Sequence, residues 1–331
     1  MGAGQNGAVQ SSEQVSPLDN PLTPHAEQAL AGRYGILLVL GSTLVWSSAG
    51  VLIEVLTTTY RMTPLQISAW RVTLAGLILA GFTARKGWAG FRISRRDIPY
   101  YVLYGWAGLA LFSVVWATSV RVNKAAVATA LVFSAPVFVA LGDRALFGQR
   151  LRIAQAGAIA VNILGCGLVA GIQSPATVGR SPLGLGLGLL SGATFGLYTL
   201  LGRWAAEVRR CDALTMLRSV FLFGAVGLLG WGLVREGPPL LLPHLDARGW
   251  LLLLGLATGP TLGSYALFTY SLRYLSATLA SMVATLEPTF TGILATIFLG
   301  RGMSSIQWLG TGLIVGGVMV MRLTSRSGHG G

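Results

Sequence analysis

Charge is what this chain has least of: 11% of its 331 residues are Asp, Glu, Lys or Arg, where a water-soluble domain carries about 25%. Histidine is nearly absent. The three present, His25, His244 and His329, all fall outside apolar runs, which removes imidazole bases and imidazole metal ligands from any apolar interior. Cysteine is scarce too, and Cys166 and Cys211 form neither a zinc spacing nor a disulfide framework. No glycine-rich G-x-x-x-x-G-K-[ST] phosphate loop occurs, so direct nucleotide-driven work is not expected. Without a nucleophile and base inside the apolar segments, a membrane-embedded enzyme has little to build from, and neither cofactor nor metal is expected. Residues 1–32 hold no apolar run and read as a disordered tail. They lack the basic start and short apolar core of a secretory signal, so the first apolar run is expected to be retained.

What the chain has in quantity is apolar length. Hydrophobic residues make up 53%, and the mean hydropathy is +0.66. Runs rich in Leu, Ala, Val and Gly lie at about 34–55, 64–83, 98–119, 124–146, 152–172, 182–204, 211–234, 248–272, 277–299 and 305–322. Each is long enough to cross a bilayer, which takes about 20 residues. An all-α membrane protein of ten transmembrane helices follows, with the lipid bilayer as a partner. The net charge of +13 sits in short loops, not on a basic stripe, so nucleic acid is not an expected partner.

The runs repeat. Residues 125–136 (AAVATALVFSAP) align with 277–288 (ATLASMVATLEP) at an offset of 152, and the register continues through Gly148/Gly300, Gln155/Gln307 and Gly165/Gly317. An offset of 147 places Arg71 over Arg218. The expected organisation is a tail at 1–32, a first five-helix repeat at 33–174, a second at 181–323 and a short tail at 324–331. Five spans is an odd number, so the second repeat must enter the membrane upside down relative to the first. Loop charge sets the orientation: fifteen Lys and Arg fall on the side of the two termini and seven on the other, which places both termini in the cytoplasm. An inverted repeat supports alternating access around a midplane site, the design of secondary transporters.

Few residues can carry chemistry inside such a bundle. Glu287 is the one acidic group deep in a span and directly precedes Pro288, where proline removes an intrahelical hydrogen bond. It suits recognition of a substrate amine or proton coupling, with protons as a candidate partner; pairing with an arginine or nearby hydroxyls is the structural alternative. The first repeat has Ala135 beside Pro136 at that position. Arg71 and Arg218 lie about two turns inside their spans, suited to gating, to structural capping, or to attracting an anionic substrate group. Trp46, Trp106, Trp116, Tyr198 and Tyr265 lie within spans, as do the hydroxyls of Ser47, Ser48, Thr129, Ser134, Ser264 and Thr285 and the amide of Asn162. An aromatic wall with a few polar groups fits amphipathic organic solutes, although lipid-facing packing and bonding back to the helix are competing uses. Asp143 beside Arg144 reads as an interfacial pair, and Gly167/Gly171 and Gly312/Gly316 as spacings that let helices approach closely.

The stretch WSSAGVLIEV at 46–55, AWR at 69–71, the paired blocks ending at Pro136 and Pro288, and the glycine-rich last helix of each half together resemble the drug/metabolite transporter superfamily. The type with two EamA domains is the nearest likeness, over about 34–322. That resemblance implies ten helices in an inverted five-plus-five repeat and transport of small metabolites such as amino acids, often outward. The family commonly carries an L-G-E glutamate after the fourth and ninth helices, where this chain has Gln149 and Arg301. The expected function is a secondary-active or facilitative exporter of an amino acid or similar metabolite in the inner membrane, with a small-molecule substrate and oligomeric state left open. Alternatives are an importer or antiporter of phosphorylated or nucleotide-linked solutes through Arg71 and Arg218, or a non-transporting scaffold or sensor.

Overall fold

The computed structural model describes residues 24–85, 93–149, 151–171, 182–209, 212–299 and 302–326, and among them every regular element is helical. Among the described residues nine helices are long and apolar enough to cross a membrane: α1 (Leu30–Thr58), α2 (Pro64–Ala84), α3 (Ile98–Asn123), α4 (Val127–Phe147), α5 (Ile153–Ala170), α6 (Pro182–Glu207), α7 (Ala213–Glu236), α8 (Ala247–Ser271) and α10 (Ser305–Thr324). The remaining expected span, α9 over 277–299, is present as two shorter helices, Ala277–Ala284 and Glu287–Leu299. Large apolar side chains point outward all around the bundle, among them Leu37, Leu77, Leu164, Val234 and Leu251. A soluble monomer rarely exposes so much apolar surface, and lipid is its natural solvent.

Local chemistry sets the helix ends. Thr63 accepts a hydrogen bond from the Gln66 amide, with Pro64 in the first turn of α2, and Asp212 accepts from Thr215 at the start of α7. Asp246 caps α8 by accepting from the Gly249 amide at 2.7 Å and from the Tyr60 hydroxyl at 3.0 Å, bonds that hold its carboxyl below the usual carboxylate range. Gly148 and Gly171 end α4 and α5 in the left-handed conformation that glycine adopts without strain.

The most extensive helix contacts all cross between the two halves of the chain. In α5 and α10, Asn162 donates to the Ile314 carbonyl, Gln307 donates to the Val169 carbonyl, and Arg152 lies by Thr324, so the two run antiparallel. The pair α2 and α7 shows the same order: Thr63 meets Glu236 while Gly76 meets Phe221. In α1 and α8, Gly35 faces Tyr274 and Ser42 donates to the Ser264 carbonyl, again antiparallel. Their repeat-related counterparts α6 and α3 pair alike, with Tyr100 donating to Leu201 and Asn123 donating to Gly184. Each repeat-related pairing thus recurs with direction reversed. That is a two-fold axis perpendicular to the helices, the signature of an inverted five-plus-five repeat.

Close approach rests on glycines other than the expected set. A side-chain carbon on Gly165 would sit 2.6 Å from the Gly310 carbonyl oxygen, and one on Gly317 would sit 2.8 Å from that of Ala158, whereas Gly312 and Gly316 meet nothing within 4 Å among the described residues. Four-residue spacing identifies small residues on one helix face but not which face meets the neighbour. The reversal between α3 and α4 also differs from a plain loop. Backbone of helical geometry continues from Leu111 to Val132, yet Asn123 contacts Gly184 and Leu131 contacts Gly188, so the chain turns back within that stretch.

Candidate functional site

Irregular turns concentrate at the middle of the bundle and repeat with the fold. The helical run of α4 is interrupted at Phe133 and Ser134, and that of α9 at Thr285 and Leu286, matching the 152-residue offset. Widened π-helical turns occupy Tyr104–Ala110 in α3 and Ala257–Gly263 in α8. Pro260 frees a carbonyl in the second, but the first contains no proline, so proline alone is not the cause. A further break, at Ser47 and Ser48 of α1, has no partner in α6, which is continuous.

Hydroxyls close these breaks. Ser47 donates to the Leu44 carbonyl at 2.6 Å, Ser134 to Leu131 at 2.9 Å and Thr285 to Met282 at 2.5 Å. Backbone carbonyls freed by a break have no water to turn to in an apolar interior, so such bonds lower the cost of the irregularity. Three residues that read as possible cavity lining are therefore engaged in holding the turns. Pro136 and Pro288 lie in the first turns after the breaks, where a missing amide hydrogen costs least.

Around the breaks lies a central cavity. Its wall consists of Trp46 and Ala49 from α1, Arg71 from α2, Phe112 and Trp116 from α3, Val132 and Phe133 from α4, Phe195 from α6, Tyr265 from α8, and Ala284 and Glu287 from α9. The space offers about 40 Å³ to the centres of water-sized molecules, room for about three at roughly 10–15 Å³ each. The aromatics form one interlocked set: Trp46 meets Tyr265 edge-on at 5.3 Å and Phe195 at 5.6 Å, and Phe112 lies 5.3 Å from Phe195.

An arginine and a glutamate face this apolar box. Arg71 is 2% exposed, and its Nε and Nη2 have no hydrogen-bond partner among the described residues. Its guanidinium lies 5.6 Å from the Trp116 ring centroid, a cation–π contact. Glu287 is half-buried and opens the second half-helix of α9. There the positive end of the helix dipole favours a negative group. Among the described residues no ion pair within 4 Å engages either side chain.

The other sequence candidates lie elsewhere. Trp106 is 51% exposed on the bundle periphery and donates to the Phe223 carbonyl. Tyr198 is buried behind the wall, its hydroxyl 2.9 Å from that of Thr269. Thr129 is buried on α4, one turn before the lining residues Val132 and Phe133, and is not itself part of the wall. Arg218 is buried in α7, with Tyr101 and Asp212 as its electrostatic neighbours, and does not reach the cavity. The repeat therefore carries two arginines, and the cavity receives one. Phe112, Phe133 and Phe195 were not singled out by sequence, where a phenylalanine in an apolar run carries no mark of which way it faces.

At the face holding the helix ends Phe147, Glu207 and Ala277, Asp143 ties three helices together. It accepts from Arg203 of α6 at 2.9 Å and, on its other oxygen, from the Thr278 hydroxyl at 2.6 Å and amide at 3.2 Å. Its partner is thus not the adjacent Arg144. Arg203 also reaches Glu207 and stacks 4.3 Å from the Phe147 ring centroid. Among the described residues no cluster of metal-ligating side chains occurs.

Comparison with known proteins places these features in a family. The profile of the EamA-like transporter family matches twice, over residues 33–171 and 182–323. The chain is 25% identical to a Salmonella typhimurium protein described as the uncharacterized inner membrane transporter YicL, over 89% of this chain and 97% of that protein. It is 26% identical to the uncharacterized transporter YwfM of Bacillus subtilis, over 90% and 96%. A WAT1-related chloroplastic protein of Arabidopsis thaliana is 25% identical over 75% of this chain and 60% of its own length. One solved structure, 17% identical, shares the fold with a TM-score of 0.71 over 88% of this chain and 98% of its own.

Proposed function

The chain belongs to the EamA-like transporter family, and from that premise we propose that it is an exporter of an amino acid or a similar small metabolite. It works by alternating access, either facilitatively or driven by an ion gradient. The supporting observation is the central cavity: an aromatic box at the helix breaks, faced by Arg71 and Glu287, with walls drawn from both halves. Rocking one half against the other would open this box to either face in turn, since the two halves are related by a two-fold axis. Its present volume is far below the roughly 300 Å³ of a small-molecule pocket, so loading requires such an opening. Both termini are assigned to the cytoplasm on the fifteen-to-seven bias of Lys and Arg, and the Salmonella relative's description supports an inner membrane setting.

Glu287 is the acid available to a substrate amine or to a coupling proton. Glu287→Gln keeps the shape and removes the titratable carboxyl. In liposomes holding the purified chain, counterflow of the transported solute should fall at least about tenfold, with thermal unfolding of the protein little changed. Exchange rates identical to the parent's across a pH series would eliminate both roles for Glu287. An importer of phosphorylated solutes has the free guanidinium of Arg71 in its favour, but Glu287 shares that space and Arg218 lies outside it, which disfavours a dianion.

A further inference from the structure

Two ionisable groups of opposite kind share one apolar cavity without pairing with each other. A charge removed from water usually finds a partner, and here Arg71 and Glu287 line the same small space without meeting within 4 Å. Among the described residues, two buried guanidinium nitrogens of Arg71, Nε and Nη2, have no hydrogen-bond partner. Glu287 stands at a helix start, where the positive end of the helix dipole and an ammonium brought beside it would together favour its ionised form. Resting on the transport reading above, we propose that Arg71 and Glu287 are the two specificity-determining poles of the cavity, selecting dipolar solutes with a carboxylate at one end and an ammonium at the other.

A guanidinium receives a carboxylate through two parallel N–H donors, and Arg71 has two nitrogens free for that purpose. A carboxylate receives an ammonium as a compact point charge. A dipolar solute satisfies both poles at once and leaves the cavity neutral. A solute with one charge satisfies one pole and strands the other, the situation in which binding sites discriminate most strongly. Between the poles, Trp46, Trp116, Phe195 and Tyr265 supply flat apolar surface, which fits a solute body that is aromatic or bulky and apolar. The first repeat contributes the cation and the second the anion, because the position equivalent to Glu287 is Ala135 and the arginine equivalent to Arg71 does not reach the cavity.

The test is a charge exchange of specificity. Full-length protein in liposomes is assayed by counterflow with matched trios of one body: phenylalanine, phenethylamine and 3-phenylpropionate, then leucine, isopentylamine and 4-methylpentanoate. The parent should exchange the dipolar member of a trio about 10- to 100-fold faster than either singly charged member, the ratio expected for one charge-assisted hydrogen bond. Arg71→Gln should reduce that preference over the amine, and Glu287→Gln should reduce it over the acid, each variant relaxing toward the analogue that keeps the surviving pole. A parent that moves amine or acid as fast as the dipolar member overturns the two-pole reading and leaves transport standing. A parent that moves no member of any trio overturns both. Should Arg71→Gln fail to fold, the parent's selectivity and Glu287→Gln decide between these outcomes, and Arg71→Lys, which keeps the cation, should retain the dipolar preference. Unchanged selectivity in Glu287→Gln also overturns it.

Discussion

Asp143 shows how much one carboxylate does in this bundle. Its two oxygens accept from Arg203 on α6 and from Thr278 at the head of α9, so one side chain of the first half fastens two helices of the second. Both partners in the ion pair are nearly inaccessible, with side-chain exposures of 6% and 3%. Removing one member of such a pair leaves an uncompensated buried charge, a loss of about 3 kcal/mol or more. Asp143→Asn should therefore lower the unfolding temperature, and single cysteines placed near Thr278 should react faster with aqueous thiol reagents as that face loosens; unaltered labelling would mean the contact does not hold the face shut. In the sequence this residue reads as half of a pair with Arg144, because the nearest basic neighbour is visible and one 60 positions away is not. The same limit applies to Arg71 and Arg218. Their sequence settings are alike, and only the surroundings the fold supplies, the Trp116 ring for Arg71 and the vicinity of Tyr101 and Asp212 for Arg218, separate a cavity residue from one outside it.

At the scale of elements, the spans, their order and the prolines at the breaks were legible, since apolar length and Pro136/Pro288 are written in the chain. The hydroxyl closures were not. Ser47, Ser134 and Thr285 are short polar residues in apolar runs, and whether they face a cavity or their own carbonyls depends on where the helix opens. Glycine use divides the same way: the seam of α5 and α10 runs through Gly165, Gly310 and Gly317, not the pair at 312 and 316. Without a hydrophobic drive between helices in lipid, backbone approach supplies much of the association. Gly165→Leu places carbon against the Gly310 carbonyl, which is backbone and cannot swing away. It should cost roughly 1–3 kcal/mol, measured by thermal unfolding in detergent, whereas Gly312→Leu, which meets open space, should be nearly neutral.

For the whole molecule, repeat offset and span count carried the architecture, and the odd number of spans per repeat implied the inversion that the antiparallel pairs display. Which helices become neighbours was beyond a single sequence, because side chains that pack in lipid and in a core are drawn from the same apolar alphabet. The outcome is thorough interleaving: α1 lies on α8, α3 on α6, α2 on α7 and α5 on α10. The central cavity takes its walls from both halves. A polypeptide cut between positions 171 and 182 should consequently give two pieces that are inert and short-lived when made singly, yet rebuild a working carrier when made together in one cell, much as two hands form a cup that one cannot.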